Sequence, residues 1–181
     1  MSDNSNTSIP ENEGNMNRLK NKNFPNISLP NQDGNSLNLH RLDTFRMVLY
    51  FYPMTGRPDR PLPDNWNNIP GAKGCTIQTC SFRDNYDEII NLNAVPIGIS
   101  SQSVDDNKEM TSRLKVPYDV LSDEKLELSN ELNTPTFSVN SKIFLKRITL
   151  IVEKKIIKKV FYPINDINKH IEEVLKWLKE N

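Results

Sequence analysis

The sequence predicts an α/β layered domain built on a mixed sheet, and three observations carry that prediction. The run Met47-Val48-Leu49-Tyr50-Phe51-Tyr52 is continuously apolar and stops at Pro53, the pattern of a strand buried on both faces. A second short apolar run, Ala94 to Ile99, follows a helical stretch, giving the strand–helix–strand order of layered α/β domains. The chain then ends on an amphipathic helix, with Ile167, Ile171, Val174, Leu175 and Leu178 on one stripe after a cap at Asn165 or Asp166.

Taken in order, residues 1–22 are polar and are expected to form a disordered tail, which leaves 23–181 as one domain. Phe24, Ile27 and Leu29 precede the turn cluster Asn31-Gln32-Asp33-Gly34-Asn35. Leu37 and Leu39 then alternate with polar residues, so an N-terminal hairpin is predicted. Residues 54–74 are rich in proline and glycine and carry Trp66 without any helical or strand period; a loop this long inside a domain is usually functional. Phe82, Tyr86, Ile89 and Ile90 mark a helix over 75–91. Ser103 opens another, with Met110 and Leu114 inward, and Ser122 is expected to cap a third over 123–130. Residues 147–152 and 156–162 read as a hairpin around Glu153-Lys154-Lys155.

Composition sets the outer limits. The chain has 181 residues, enough for one domain and hardly two, with 23 Lys+Arg against 23 Asp+Glu. A net charge of zero removes the usual electrostatic case for nucleic acid or an anionic membrane. Two cysteines are too few for a disulfide-stapled secreted scaffold. The first two dozen residues lack the apolar core of a secretion signal, and no apolar run approaches the roughly 20 residues that span a bilayer. A cytoplasmic location is therefore expected. Asparagine is in excess but falls in tail, loops and helix ends alike, so it marks no site.

Cys75 and Cys80 lie where the proline- and glycine-rich loop meets the first helix. Three readings compete: buried structural thiols, half of a metal site, or redox chemistry. Zinc would need two more ligands, and His40 and His170 stand in no recognisable ligand spacing. A sulfur at a helix start faces unpaired N–H groups and the positive end of the helix dipole, a setting that favours the thiolate. Five helical residues set the two Cα atoms about 8 Å apart on different faces. A disulfide needs roughly 4.4–6.8 Å. The two thiols can bridge only if the helix start unwinds.

Phe51-Tyr52-Pro53, then Gly74-Cys75-Thr76 and Cys80-Ser81-Phe82-Arg83-Asp84, resemble the Q-type (bacterioferritin comigratory protein) peroxiredoxins. The resemblance extends to the hairpin at 24–34, the strand at 94–100, Leu121-Ser122-Asp123, the strand 146–152 and the helix segment 172–175. It implies a thioredoxin-like fold, a mixed central sheet flanked by helices. The implied activity is reduction of hydrogen peroxide and organic hydroperoxides without metal, flavin or other cofactor. By position, Cys75 matches the cysteine that attacks peroxide, and Cys80 the one that resolves the sulfenic acid as a Cys75–Cys80 disulfide. Arg147 matches the arginine beside the thiolate. Thioredoxin or a similar dithiol is the implied reductant, and a monomer the expected state, with a dimer through the Trp-bearing insertion as the alternative.

Two features depart from the family pattern. The position three before Cys75, usually Thr or Ser, is Ala72, and the one seven before, usually Pro, is Asn68. Pro53 survives, but far upstream, where it either shields the thiolate or simply ends the strand. Thr55 or Thr76 could supply the missing hydroxyl, with Thr55 favoured because it follows Pro53. A thiol–disulfide oxidoreductase and a non-catalytic sensor of the same fold remain the alternatives in other classes.

Overall fold

In the computed structural model, which describes residues 15–181, the predicted hairpin is present as β1 (Ser28–Pro30) and β2 (Ser36–Asn38), paired antiparallel. Asn31 shapes its turn: Oδ1 accepts from the backbone N–H groups of Asp33 and Asn35. The apolar run becomes β3 (Arg46–Phe51), buried along its whole length. Met47, Leu49 and Phe51 face one core while Val48 and Tyr50 face another, so strand alternation explains why no polar residue interrupts the run.

The helix predicted over 75–91 is two helices, α1 (Cys75–Asp84) and α2 (Tyr86–Asn91). Asn85 separates them, donating Nδ2 to the Ser81 carbonyl at 2.8 Å. Strand β4 (Ala94–Ser100) pairs parallel with β3. The Ser103 hydroxyl accepts from the Asp106 N–H and caps α3 (Val104–Leu114), as expected.

Downstream the prediction needs correcting. Ser122 ends a short strand, β5 (Val120–Ser122), rather than capping a helix. The helix, α4, runs over Glu127–Leu132, and the Asp123 carboxylate reaches it by accepting from the Leu128 and Ser129 N–H groups. A second small hairpin, β6 (Thr136–Val139) with β7 (Lys142–Leu145), was not legible beforehand. The late hairpin is present as β8 (Ile148–Glu153) and β9 (Ile156–Phe161), and Asp166 caps α5 (Ile167–Glu180).

Five strands form one mixed sheet in the order β5-β4-β3-β8-β9, with β3, β4 and β5 parallel and β8 and β9 antiparallel additions. Helices α1, α2, α3 and α5 contribute to the core on one face, through Phe82, Ile89, Met110 and Val174. The other face is covered by α4, by Leu29 of β1 and by the segment before the hairpin.

That segment corrects the expected tail boundary. Met16 and Leu19 sit in a 3-10 turn and are both buried in the core. Arg18 reaches the Leu132 and Asn133 carbonyls, and Asn21 and Lys22 exchange backbone hydrogen bonds with Ile157 at the β9 edge. Apolar spacing of three residues was enough to bury one turn in an otherwise polar stretch. The rest of the expected tail, residues 1–14, lies outside the described residues. Among those described, no helix is long and apolar enough to cross a membrane.

Candidate active site

The loop over 54–74 delivers Cys75 to the first position of α1. Gly74 precedes it at φ +93°, a left-handed conformation that L side chains rarely adopt, and a Cβ there would collide with Ile167 of α5. The backbone conformation favours glycine where the loop enters the helix, while the tip of the Ile167 side chain could shift to admit a Cβ. The loop itself is pinned by Trp66, which is 3% exposed and packs against Phe144 of β7 at 4.9 Å and Phe137 of β6 at 5.9 Å between ring centroids. Trp66 thus anchors the loop, and the unforeseen β6–β7 hairpin is what it anchors to.

Cys75 is buried, only 2% exposed. Its Sγ lies 3.6 Å from the Ala72 carbonyl oxygen and accepts from Arg147 Nη2 at 3.3 Å. Arg147 immediately precedes β8, and strand alternation puts it on the same face as Thr149 and Ile151, toward α1 and α5. The same guanidinium donates to the Gly71 and Lys73 carbonyls at 3.2 and 2.8 Å, and through Nη1 to Gln78 Oε1. One cation therefore gathers the loop end, the helix start and the sulfur. Nearby carbonyls and a buried amide oxygen hold the fork in place, so it meets the sulfur already oriented.

The other expected residues divide. Cys80 is in the same helix, half-buried, and both thiols are free. Pro53 is buried just beyond the end of β3. Thr55 is not at the sulfur: its N–H and hydroxyl both donate to Gln102 Oε1, at 3.0 and 3.2 Å, and Gln102 Nε2 returns to its carbonyl. Thr76 is exposed. Neither threonine has a hydrogen bond to Cys75 among the described residues. Gln78 is the site residue that sequence reading missed; its only signal was the three-residue spacing from Cys75 along one helix face.

Behind the sulfur lies an aromatic wall. Tyr50 stacks on Phe82 at 4.4 Å, and its hydroxyl bonds to that of Tyr118 at 2.9 Å. Burial pushes the phenols of Tyr50 and Tyr52 well up, so both are neutral. A cleft of about 500 Å³ opens beside the loop, lined by Thr55, Arg57, Arg60, Leu62, Gln102 and Phe144. Arg57 and Arg60 both pair with Asp106 at 3.1 Å, and Cys75 does not line the cleft. Among the described residues, no three His, Cys, Asp or Glu side chains converge as metal ligands.

A buried cysteine at a helix start, held by an arginine just ahead of an antiparallel strand of a mixed sheet, fits the family the sequence resembles. The redoxin family profile matches residues 19–175. This chain belongs to the redoxin family. Within it, the expected resemblance to Q-type peroxiredoxins is found: the chain is 30% identical over 156 residues to the chloroplastic peroxiredoxin Q of Populus jackii, and 31% over 156 residues to that of Arabidopsis thaliana. Each alignment takes in 86% of this chain, and the chain spans about 65% of the length of these plant proteins. Among solved structures, the redoxin chain superposes on the peroxidoxin BcpB of Mycobacterium tuberculosis with a TM-score of 0.74 at 22% identity, covering 90% of this chain and 97% of that one. A mutant of Xylella fastidiosa PrxQ gives 0.70 at 20% identity, covering 87% and 90%. At those identities the likeness is one of fold: the thioredoxin-like arrangement that the resemblance implied.

Proposed function

We propose that this redoxin is a thiol peroxidase, reducing hydrogen peroxide and organic hydroperoxides at Cys75. The observation that carries the reading is the 3.3 Å contact between Cys75 Sγ and the Arg147 guanidinium at the start of α1. A fixed cation and a helix N-terminus both stabilise negative charge on that sulfur, which is the form that attacks peroxide. Membership of the redoxin family and similarity to plant peroxiredoxin Q proteins support it.

The thiolate attacks one peroxide oxygen, forming an S–O bond as the O–O bond breaks. Sulfur loses two electrons and becomes a sulfenic acid; the other oxygen leaves as hydroxide or alkoxide and takes a proton from water. The Cys80 thiol then displaces water from the sulfenic acid, giving a Cys75–Cys80 disulfide. A dithiol protein of the thioredoxin type returns both to thiols by exchange. Resolution needs no second copy of the chain, since both sulfurs come from one helix, so a monomer suffices for the cycle.

Mass spectrometry after one equivalent of peroxide tests the cycle. The expected product has lost two hydrogens and yields a Cys75–Cys80 linked peptide; persistent sulfenic or sulfinic acid on Cys75 would contradict the resolving role of Cys80.

A further inference from the structure

Gln78 is 1% exposed and lies one helical turn after Cys75, on the buried face of α1 that also carries Thr79 and Phe82. Arginine has only donors, so the atom that Arg147 Nη1 meets on Gln78 must be the amide oxygen. That contact fixes the orientation of the amide and leaves Nε2 as its free end. Among the described residues, Nε2 has no hydrogen-bond partner. Buried amide N–H groups without partners are rare in native interiors, because their lost hydration is not replaced.

The position of this unused donor matters because the other end of the same guanidinium holds the Cys75 sulfur. One guanidinium therefore bridges the sulfur and the amide group that carries the unused donor. Of the other candidates nearby, Ala72 carries no hydroxyl, Thr55 is bonded to Gln102 and Thr76 is exposed. The Tyr52 hydroxyl is also without a hydrogen-bond partner among the described residues, but of the two only Gln78 is bonded to the guanidinium that holds the sulfur.

We propose that Gln78 Nε2 is a catalytic donor to the peroxide, hydrogen-bonding the oxygen that leaves Cys75's attack. The inference rests on the peroxidase reading of Cys75 and adds the group that handles the leaving oxygen. As the S–O bond forms and the O–O bond breaks, negative charge grows on the departing oxygen until water protonates it. A neutral N–H already held in place by the Arg147 contact stabilises that charge without reorganising. The amide therefore does the work of the hydroxyl that is missing three residues before Cys75.

The test compares two reactions of the same sulfur by stopped flow: oxidation by hydrogen peroxide and alkylation by iodoacetamide. Both depend on the thiolate, but only the first has a leaving oxygen. Gln78→Glu keeps an acceptor for Arg147 and removes the N–H donor; Gln78→Met removes both and introduces no charge, so it serves if the carboxylate unsettles the fold. The ratio of the peroxide rate to the alkylation rate is expected to fall about 100-fold in each, the scale of loss when one preorganised donor is removed from a charged transition state. Adding Ala72→Ser to either variant should recover at least part of that ratio, by restoring a hydroxyl next to Cys75. A ratio unchanged from the parent, whether both rates fall together or neither does, overturns the donor role and leaves Gln78 as a support for Arg147. If the parent itself reacts with peroxide no faster than Cys75→Ser, the peroxidase reading fails instead, and the two failures are told apart.

Discussion

Two residues along β8 from Arg147, the Thr149 hydroxyl hydrogen-bonds His170 Nε2 at 2.9 Å in the space between sheet and α5. His170 is 1% exposed, and burial pushes its imidazole down to about 4; Glu173 on the same helix acts against the shift and Arg147 with it. It is therefore neutral in the native protein at neutral pH. The unfolded chain binds a proton there near 6.5 that the native state refuses until about 4. Stability must then fall as the pH drops through that window, by up to ~1.4 kcal/mol per pH unit. Thermal midpoints measured from pH 7 to pH 4 should decline more steeply for the parent than for His170→Asn; parallel curves would contradict the assignment. Such residues are hard to read from sequence, because a lone histidine looks the same buried or exposed. Cys75 and Arg147 were legible because their neighbours formed a recognisable pattern. Gln78 was not, since nothing in a glutamine's identity says that one end of it will be left unpaired. Thr55 misled for a related reason: proximity to Pro53 along the chain did not bring its hydroxyl to the sulfur, because Gln102 captured it first. The asparagine excess also acquires a partial physical use, with Asn21, Asn65, Asn93, Asn133 and Asn140 all at positive φ, where a short polar side chain is tolerated better than most.

Among the elements, α1 is the one whose integrity the proposed cycle puts at risk. It has ten residues, follows a glycine that offers no side-chain cap, and carries both cysteines. Helical geometry keeps the two sulfurs from bonding while the helix is intact, so forming the disulfide must open its first turns. Gly74 and an uncapped N-terminus lower the cost of that opening relative to a helix with a Ser or Asp cap. Amide hydrogen exchange should show the consequence: peroxide treatment is expected to abolish protection over 75–84 in the parent, while Cys80→Ser keeps it. Unchanged protection in the oxidised parent would contradict coupling between resolution and unwinding. The elements that were legible in sequence, β3, β4, α3, the β8–β9 hairpin and α5, are those with a long apolar run, a firm cap or a full amphipathic stripe. Strand β5 has three residues and β6 and β7 four each, too short to display a period. Their positions are set by tertiary partners: β5 by pairing with β4, and β6–β7 in part by the aromatic contact with Trp66.

At the scale of the whole molecule, the mixed sheet explains why one cysteine can be both buried and poised. Strand β3 brings the loop out at its end, β8 returns antiparallel beside it, and Arg147 enters just ahead of β8. The site thus joins groups about 70 residues apart in sequence through adjacent strands, with α5 closing it from the side at Ile167 and His170. The inserted loop does not disturb that frame, because Trp66 gives it a small aromatic core of its own with Ala72 and Phe144. The N-terminal segment adds Met16 and Leu19 to the opposite core, where sequence reading saw only polarity. The central claim is that this frame serves a single reactive sulfur, and peroxide turnover tests it most directly. Purified protein is given hydrogen peroxide and a thioredoxin system, with peroxide loss followed over time. The account predicts sustained turnover by the parent and none above background by Cys75→Ser; equal rates for the two would contradict it.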